Sequence, residues 1–255
     1  MIASAPQSLI TGASSGLGRA ALSLLLDNEI AELTDGVVHA ISRRAADDGQ
    51  LLALQRRFPE RLQLHSVDLS KDADLERLSR ALSDCPPLRL VFHAAGVLHD
   101  PQLRPEKSLT QIRRDQLERA FTLNAYAPIL LAKAILPLLR GRHRCTFASV
   151  SARVGSIGDN RLGGWYAYRA SKAAQNQLIR TFAVELSRLN PSGCCLLLHP
   201  GTVDTPLSRP FQEHLAKGQL QQPLDAARRL LNLAISAAPT DSGRFLAWDG
   251  SEIPW

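Results

Sequence analysis

The sequence has few aromatic residues and few cysteines. Phenylalanine, tryptophan and tyrosine make up 5% of its 255 residues, and four positions are cysteine. Aromatic side chains interleaved with basic ones are typical of proteins that bind single-stranded nucleic acid, so their scarcity argues against that class. The cysteines form no Cys-x-x-Cys pair and stand near no histidine cluster, which argues against a metal or dithiol site. We therefore predict reduced thiols and no metal.

Long apolar segments are also lacking. The longest, residues 125–139, is interrupted by Lys133 and two prolines, and a helix that crosses a bilayer needs about 20 apolar residues. The first residues have neither the basic flank nor the apolar core of an export signal. We therefore expect a cytoplasmic protein that does not bind membranes.

The sequence has fewer acidic than basic residues, and its net charge is +6. An excess of basic residues can indicate nucleic-acid binding, but here this alternative function rests on the charge alone. The arginines are scattered in small groups, such as Arg43–Arg44 and Arg228–Arg229, and form no stripe. We therefore predict a solvated basic surface and no nucleic-acid partner, with part of the excess available to an anionic cofactor.

The sequence does contain a regular alternation of short apolar segments and amphipathic helical segments. Strands are predicted at 7–11, 37–42, 62–67, 88–93, 145–150, 194–198 and 244–247. Helices are predicted at 16–27, 48–58, 72–82, 114–139, 165–189 and 223–237. Such alternation is typical of parallel strands joined by crossover helices. We predict a single α/β domain over residues 1–255, a doubly wound parallel sheet of about seven strands with helices on both faces.

A glycine-rich segment follows the first strand and opens the first helix. Glycines let the backbone turn tightly and approach a pyrophosphate, and the free N–H groups of a helix start attract anions. A purely structural turn is the alternative, but the position between strand and helix favours a dinucleotide site. Its predicted contacts are Thr11, Gly12, Ser14, Ser15, Gly16, Leu17 and Gly18.

The end of the second strand indicates which dinucleotide binds. An acidic residue there would bind the ribose 2′-hydroxyl and repel a 2′-phosphate, but this chain has Ser42 and Arg43. The planar cationic fork of Arg43 suits a phosphate, with a surface role as the alternative. We predict NADP(H), contacted by Ser42 and Arg43 and more weakly by Arg19. Asp68, followed by Leu69, is placed either to touch the adenine or to cap the next helix.

Tyr168 and Lys172 form the most informative pair. Residues four apart share one helical face, so the phenol and the ammonium can point into one cleft. The ammonium favours the phenolate and would lower the tyrosine pKa from about 10. A tyrosine tuned in this way can donate a proton to a carbonyl oxygen or accept one from an alcohol. The pair predicts a small-molecule carbonyl or alcohol substrate.

Together these segments resemble the short-chain dehydrogenase/reductase family over essentially the whole chain. The matching motifs occur in family order: Thr11-Gly12-x3-Gly16-x-Gly18, Asp68, His93-Ala94-Ala95-Gly96, Asn124, Ser149/Ser151, Tyr168-x3-Lys172 and Pro200-Gly201. Residues 151–155, 163–172 and 248–250 resemble the C-signal-like subgroup. The resemblance implies a Rossmann-type sheet with strand order 3-2-1-4-5-6-7, an NADP(H)-dependent oxidoreductase and a homodimer or homotetramer.

The resemblance also implies residue roles. Tyr168 would be the general acid/base, and Lys172 would lower its pKa and bind the nicotinamide ribose. A serine after the fifth strand would hold the substrate oxygen, and we favour Ser151 over Ser149. Asn124 would keep a water in a proton relay, with a plain polar helix residue as the alternative. Further cofactor contacts are expected from Ala94, Ala95, Gly96, Pro200, Gly201, Thr202, Val203 and Thr205.

Besides the ambiguous catalytic serine, the chain departs from the family pattern in two places. His93 stands where the family usually has asparagine, and the interval from Ser151 to Tyr168 is longer than usual. We expect a loop at about 159–164 to bulge out so that the two can meet. Candidate substrate walls are Leu98, Arg153, Asn160, Leu162, Trp165, Val203 and Phe211. An alternative function, motivated by the C-signal resemblance, is a cofactor-binding signalling or redox-sensing protein with little turnover.

Overall fold

The computed structural model describes residues 5–213, 215–216 and 218–255. Its strands are β1 Gln7–Thr11, β2 Val37–Ser42, β3 Leu62–Ser66, β4 Leu88–His93, β5 Cys145–Val150, β6 Gly193–His199, β7 Thr202–Val203, β8 Leu220–Gln221 and β9 Arg244–Ala247. Its α-helices are α1 Gly16–Leu26, α2 Gly49–Arg57, α3 Asp72–Ala81, α4 Arg114–Phe121, α5 Ala127–Ala134, α6 Tyr166–Leu189 and α7 Pro223–Ser236. No helix among these residues is long and apolar enough to cross a membrane.

Seven strands form one parallel sheet in the order β3-β2-β1-β4-β5-β6-β9. Since β9 is the seventh strand of this sheet along the chain, the predicted fold class and strand order are confirmed. The carboxyl ends of all seven strands lie along one edge, which is where ligands bind in such sheets.

Two hydrophobic cores cover the two faces of the sheet. One packs the sheet against α1 and α7, and the other packs it against α3, α5 and α6. Alternate residues of β6 divide between them, with Leu196 and Leu198 in the first core and Cys195 and Leu197 in the second. Because both faces are covered, the inner strands read as continuous apolar runs rather than as alternating ones.

The segment predicted as one long helix at 114–139 is broken, and that prediction was wrong in this respect. After α4 the chain forms a π-helical turn at Thr122–Tyr126, then α5, then a 3-10 turn at Leu136–Leu138. Pro128 lies in the first turn of α5 and has no N–H to donate to the carbonyl of Asn124, four residues earlier. The regular helical hydrogen-bond ladder is therefore interrupted here, and the π-helical turn at Thr122–Tyr126 includes Asn124.

A short parallel pair was not predicted. Thr202 pairs with Leu220 and Val203 with Gln221, so β7 and β8 form a second sheet directly after Gly201. Strands of two residues are too short to give a periodic hydrophobic signal. The pair brings residues 202–203 alongside residues 220–221, close to the carboxyl end of β6.

Candidate active site

The turn between β1 and α1 is a tight glycine cradle. Gly12 and Gly16 have positive φ of 70° and 52°, a region that glycine enters at no steric cost. A Cβ on Gly12 would lie 3.1 Å from the Ala95 backbone nitrogen, and one on Gly18 would collide with the Gly12 carbonyl oxygen. The predicted glycines are thus required by close backbone approach on both sides of the loop.

Two other predicted cofactor segments reach this cradle. Thr11 Oγ1 accepts a hydrogen bond of 3.1 Å from Ala95 N, which ties the loop to the segment after β4. A Cβ on Gly16 would lie 3.1 Å from Thr205, so the segment after β7 reaches the loop from the other side. Ser15, the N-cap of α1, makes no side-chain capping bond to a described residue. The first amides of α1 are therefore open to an anionic group, and the site fits a dinucleotide.

The two predicted arginines differ in availability. Arg19 donates to the Ala13 and Ser14 carbonyls, at 3.1 and 2.7 Å, and pairs with Asp48 at 3.3 Å. It therefore braces the glycine loop, and its predicted role as a phosphate contact is not supported. Arg43 is exposed and makes no hydrogen bond or ion pair within the described part of the chain. Its guanidinium remains available to a phosphate.

Arg43 and Asp68 line one cavity of about 240 Å³, together with Ser70, Arg119, Thr122 and Leu123. Arg119 is held by Asp100 through contacts of 2.8 and 2.6 Å, so its charge is already paired. The Asp68 carboxylate accepts from Ser70 N and Oγ, and Lys71 is the N-cap of α3. The helix-capping alternative for Asp68 is therefore wrong, while Leu69 is buried behind it.

A residue of β8 stabilises the Pro200–Gly201 turn. Gln221 Nε2 donates to the Pro200 carbonyl at 2.9 Å. Gly201 has φ of 76°, and a Cβ there would lie 3.1 Å from the Trp248 ring. Arg229 donates to Gln221 Oε1 at 3.0 Å and lies over the Trp248 ring, 4.6 Å from its centroid. These contacts fix the start of the segment that carries Thr202, Val203 and Thr205.

Tyr168 and Lys172 lie one turn apart on α6, as predicted. Both are buried, and Lys172 Nζ lies 5.9 Å from the centroid of the Tyr168 ring. Burial raises the pKa of Tyr168 above its usual value and lowers the pKa of Lys172 to about 7. The expectation that Lys172 lowers the tyrosine pKa is not met in this structure, because the same enclosure disfavours the charged form of both groups.

Asn124 lies in the π-helical turn with its side chain fully engaged. Its Oδ1 accepts from Val97 N at 2.8 Å, and its Nδ2 donates to Val97 O at 2.8 Å and to Ser171 Oγ at 3.0 Å. A Cβ on Gly96 would lie 3.3 Å from Asn124 Oδ1 and 3.6 Å from Lys172 Nζ. Asn124 therefore joins the segment after β4 to α6 right beside Lys172, and it is not a plain polar helix residue.

The two candidate serines face α6 beyond the Tyr168 turn. Ser151 Oγ donates to Asn176 Oδ1 at 2.6 Å, and Ser149 Oγ accepts from Gln175 Nε2 at 2.7 Å. Asn176 is eight residues past Tyr168, about 12 Å along the helix axis at 1.5 Å per residue. Both hydroxyls are buried. In this structure both serines therefore bond side chains of α6 other than Tyr168, and the role of Ser151 in holding a substrate oxygen stays a prediction.

Aromatic rings cover the mouth of the site. Trp165 packs against Phe211 at 4.9 Å between ring centroids and against Tyr168 at 6.1 Å, and His99 meets Phe211 at 5.7 Å. Trp165 and Phe211 were predicted walls, and the structure brings them together. Arg153 is instead paired with Asp159 at 3.0 Å.

The loop before α6 bulges outward as expected. Residues 157–163 are exposed, and Leu162, a predicted wall, is 93% exposed. Gly163, Gly164 and Trp165 all have positive φ. Buried Glu106 holds this turn, since its carbonyl accepts from Trp165 N and its Oε2 accepts from Ala167 N at 3.2 Å. Sequence reasoning missed Glu106, because nothing in its local pattern distinguishes it from a surface acid.

His93, the departure from the family pattern, is completely buried at the end of β4. Its Nδ1 lies 3.0 Å from Thr11 Oγ1, and its Nε2 has no partner among the described residues. Burial, with a smaller contribution from Lys172, lowers the pKa of His93 to about 3. The ring is therefore neutral at physiological pH and joins β4 to β1 beneath the cradle.

Comparisons with known proteins agree with this geometry. A family model described as short chain dehydrogenase matches residues 7–216. The chain is 33% identical over 230 residues to the 1-hydroxy-2-glutathionyl-2-methyl-3-butene dehydrogenase of Rhodococcus sp. (strain AD45), covering 86% of this chain and 95% of that protein. It is 39% identical over 140 residues to C-signal of Myxococcus xanthus, covering 54% of this chain and 78% of that protein.

A solved structure with similar overall geometry is a carbonyl reductase from Pseudomonas aeruginosa PAO1 in complex with NADP. It matches with a TM-score of 0.74 and 27% identity, covering 98% of this chain and 100% of that one.

Proposed function

This chain belongs to the short-chain dehydrogenase family of oxidoreductases, and from that premise we propose that it transfers a hydride between NADP(H) and the carbonyl or alcohol carbon of a small molecule. The observation that carries the proposal is the meeting of Tyr168, Lys172 and Asn124 beside the glycine cradle. A proton donor and a nucleotide site at one edge of the sheet are what reduction of a carbonyl requires.

The proposed cofactor is NADP(H) because Arg43 lines the cavity that also holds Asp68 and has no ionic partner among the residues that the structure describes. The similarity to a carbonyl reductase in complex with NADP supports the same choice. The glycine cradle, Ala94–Gly96 and the segment 200–205 would hold the rest of the dinucleotide, and Lys172 would bind the nicotinamide ribose. When bound, the nicotinamide supplies or accepts the hydride.

In the proposed reduction, Tyr168 Oη donates a proton to the carbonyl oxygen of the substrate. Its raised pKa keeps the phenol protonated at neutral pH, which suits a proton donor. Lys172, with a pKa of about 7, changes its charge in the range where the enzyme would work and can return the proton to Tyr168. Ser151 donates its hydroxyl proton to Asn176, and Ser149 Oγ accepts from Gln175, so Tyr168 is the side-chain donor that we assign to the substrate oxygen.

The test is Tyr168→Phe, which removes the proton donor and keeps the ring. We expect the variant to bind NADPH normally, measured by fluorescence titration, and to lose carbonyl reduction by several orders of magnitude. The matched control is Tyr166→Phe, since Tyr166 is exposed on the same helix. Undiminished reduction by Tyr168→Phe would refute the mechanism.

A second function, favoured by the similarity to C-signal, is a cofactor-binding signalling or redox-sensing protein with little turnover. A panel of aldehydes, ketones and alcohols assayed with NADPH and NADP⁺ discriminates between the two. Tight cofactor binding with no turnover of any compound would favour the sensor. Turnover that depends on Tyr168 would favour the enzyme.

A further inference from the structure

The side-chain amide of Gln175 is bound at both of its ends inside the site. Its Oε1 accepts a hydrogen bond of 2.8 Å from Lys172 Nζ. Its Nε2 donates to Ser149 Oγ at 2.7 Å and to the Val150 carbonyl at 3.2 Å. Gln175 is completely buried. The lysine is therefore joined to β5 through one amide that no solvent competes for.

The network itself fixes the orientation of this amide. If Oε1 and Nε2 were exchanged, an N–H would face the Lys172 amine and an oxygen would face the Val150 carbonyl. Both contacts would then be repulsive when Lys172 is charged, whereas the observed arrangement satisfies every partner. The acceptor that faces Lys172 is thus the Gln175 carbonyl oxygen.

Two of the three N–H positions of Lys172 are taken by fixed acceptors. One donates to Gln175 Oε1 and one to the Val150 carbonyl at 3.1 Å. A charged lysine has a single N–H left, and a neutral lysine has its lone pair at that position. The open side of Nζ is the side of Tyr168, Asn124 and Gly96.

We propose that Gln175 is a positioning residue for proton transfer, which holds Lys172 so that its one titrating position faces Tyr168. The inference rests on the proposed function, because it assigns a step to that same site. Ser149, which was a candidate for the substrate oxygen, then serves to anchor Gln175 on β5.

Other titratable groups around Lys172 do not provide this control. Tyr168 on α6 and His93 on β4 are those that face it, and both are neutral at physiological pH. No carboxylate pairs with Lys172 among the described residues. The neutral acceptor on Gln175 is therefore the side-chain partner that stabilises the ammonium.

We expect two substitutions of Gln175 to shift the titration of Lys172 in opposite directions. Gln175→Leu removes the acceptor, which destabilises the charged amine and moves the Lys172 titration to lower pH. Gln175→Glu places a carboxylate there, which stabilises the ammonium and moves the titration to higher pH. We expect shifts of about one pH unit in each direction, a tenfold change in the protonation equilibrium. A merely structural role would move both variants the same way or not at all.

The titration is followed by NMR of the lysine side-chain nitrogen in the complete protein, and Lys172→Arg assigns the signal among the five lysines. The same opposite shifts are expected in the pH dependence of kcat for reduction, with the substrate KM unchanged in both variants. Gln177→Leu and Gln177→Glu are the matched controls, because Gln177 is exposed on the same helix and contacts Thr181. These controls should leave the Lys172 titration in place.

The outcomes separate the two proposals. Opposite NMR shifts in a protein that turns over no carbonyl or alcohol would support the contact by which Gln175 holds Lys172 and contradict the proposed function. Normal turnover with an unmoved Lys172 titration would overturn the role of Gln175 alone. If the Gln175 variants do not fold, Ser149→Ala decides, since it removes the anchor and should shift the titration to lower pH by a smaller amount. An unchanged titration in Ser149→Ala would then overturn the inference.

Discussion

For Ser151, the role implied by the sequence motif differs from the contact that the side chain makes in the structure. The family resemblance predicts that its hydroxyl holds the substrate, whereas the hydroxyl bonds Asn176 two turns beyond Tyr168. We expect Ser151→Ala to change kcat by no more than about threefold and to lower the free energy of unfolding by about 1 kcal/mol, the usual cost of one lost hydrogen bond. Steady-state kinetics and urea unfolding measure the two effects.

Ser187→Ala is the control, since Ser187 is exposed on α6, the helix that carries Asn176, and bonds the Val184 carbonyl. It should leave both quantities at wild-type values. A loss of kcat of a hundredfold or more in Ser151→Ala, without a matching loss of stability, would restore the motif-based assignment.

The preference for NADP(H) depends on a single residue, Arg43. Arg43→Ala removes the guanidinium and should raise the KM for NADPH at least tenfold, because charge-assisted bonds from a guanidinium to a phosphate are lost. The KM for NADH, which has no 2′-phosphate, should stay unchanged. Arg56→Ala is the control, since Arg56 is exposed on α2 at a distance from the cavity. An equal effect on NADPH and NADH would contradict the proposed role.

Some site residues could be predicted from sequence and others could not. Tyr168 and Lys172 could, because helix geometry alone puts residues four apart on one face. Gln175 and Asn176 could not, since buried amides on a helix have the same local pattern as surface ones. Ser149 and Ser151 do share one face, as strand alternation predicts, but which part of α6 that face meets depends on tertiary packing.

At the scale of elements, the point at which α6 starts determines where the Tyr168 side chain lies. Three successive residues with positive φ lead into the helix, and conformations of this kind persist only when their surroundings hold them. Glu106 stabilises these conformations, because its carboxylate accepts a hydrogen bond from Ala167 N. The sequence predicted the helix and the outward loop, but the buried acid comes from 60 residues earlier and could not be linked to them.

Substitution of Glu106 tests whether this residue stabilises the start of α6. We expect Glu106→Ala to speed amide hydrogen exchange at residues 166–168 and to cost about 1 kcal/mol of stability, as for loss of a helix cap. Glu106→Gln keeps an oxygen acceptor and should largely restore the protection. Glu118→Ala, at an exposed position of α4, should leave exchange at α6 unchanged. Unaltered protection in Glu106→Ala would show that the loop glycines alone define the turn.

At the scale of the whole molecule, parallel strands bring groups distant in sequence to one edge. Residues 11–18, 93–97, 149–151 and 200–205 all follow strands of the main sheet or belong to their ends, and each contributes to the candidate site. The seven strands of this sheet could be predicted because each has a clear apolar run, whereas their order was implied by the family resemblance. The β7–β8 pair and the π-helical turn at Asn124 could not, because each is decided by a few residues. A homodimer or homotetramer stays a prediction, to be checked by light scattering.

The buried histidines give the whole fold a dependence on pH. Burial lowers the pKa of His39 and His199 to about 4 and of His93 to about 3, whereas an unfolded histidine titrates near 6.5. Between these values the unfolded chain binds protons that the folded chain does not, so the free energy of unfolding falls as the pH falls from about 6.5 towards 4. Each histidine contributes roughly 2 kcal/mol to the loss between pH 7 and pH 5.

Urea unfolding at pH 7 and pH 5 measures this loss, which we expect to reach about 6 kcal/mol for the three histidines together. The variant His93→Asn carries the residue usual in the family and cannot bind a proton. It should reduce the difference between the two pH values by roughly 2 kcal/mol, whatever it does to the stability at pH 7. A wild-type free energy of unfolding that is equal at pH 7 and pH 5 would mean that these rings take up protons as readily in the folded protein as in the unfolded chain, which would contradict their lowered pKa values.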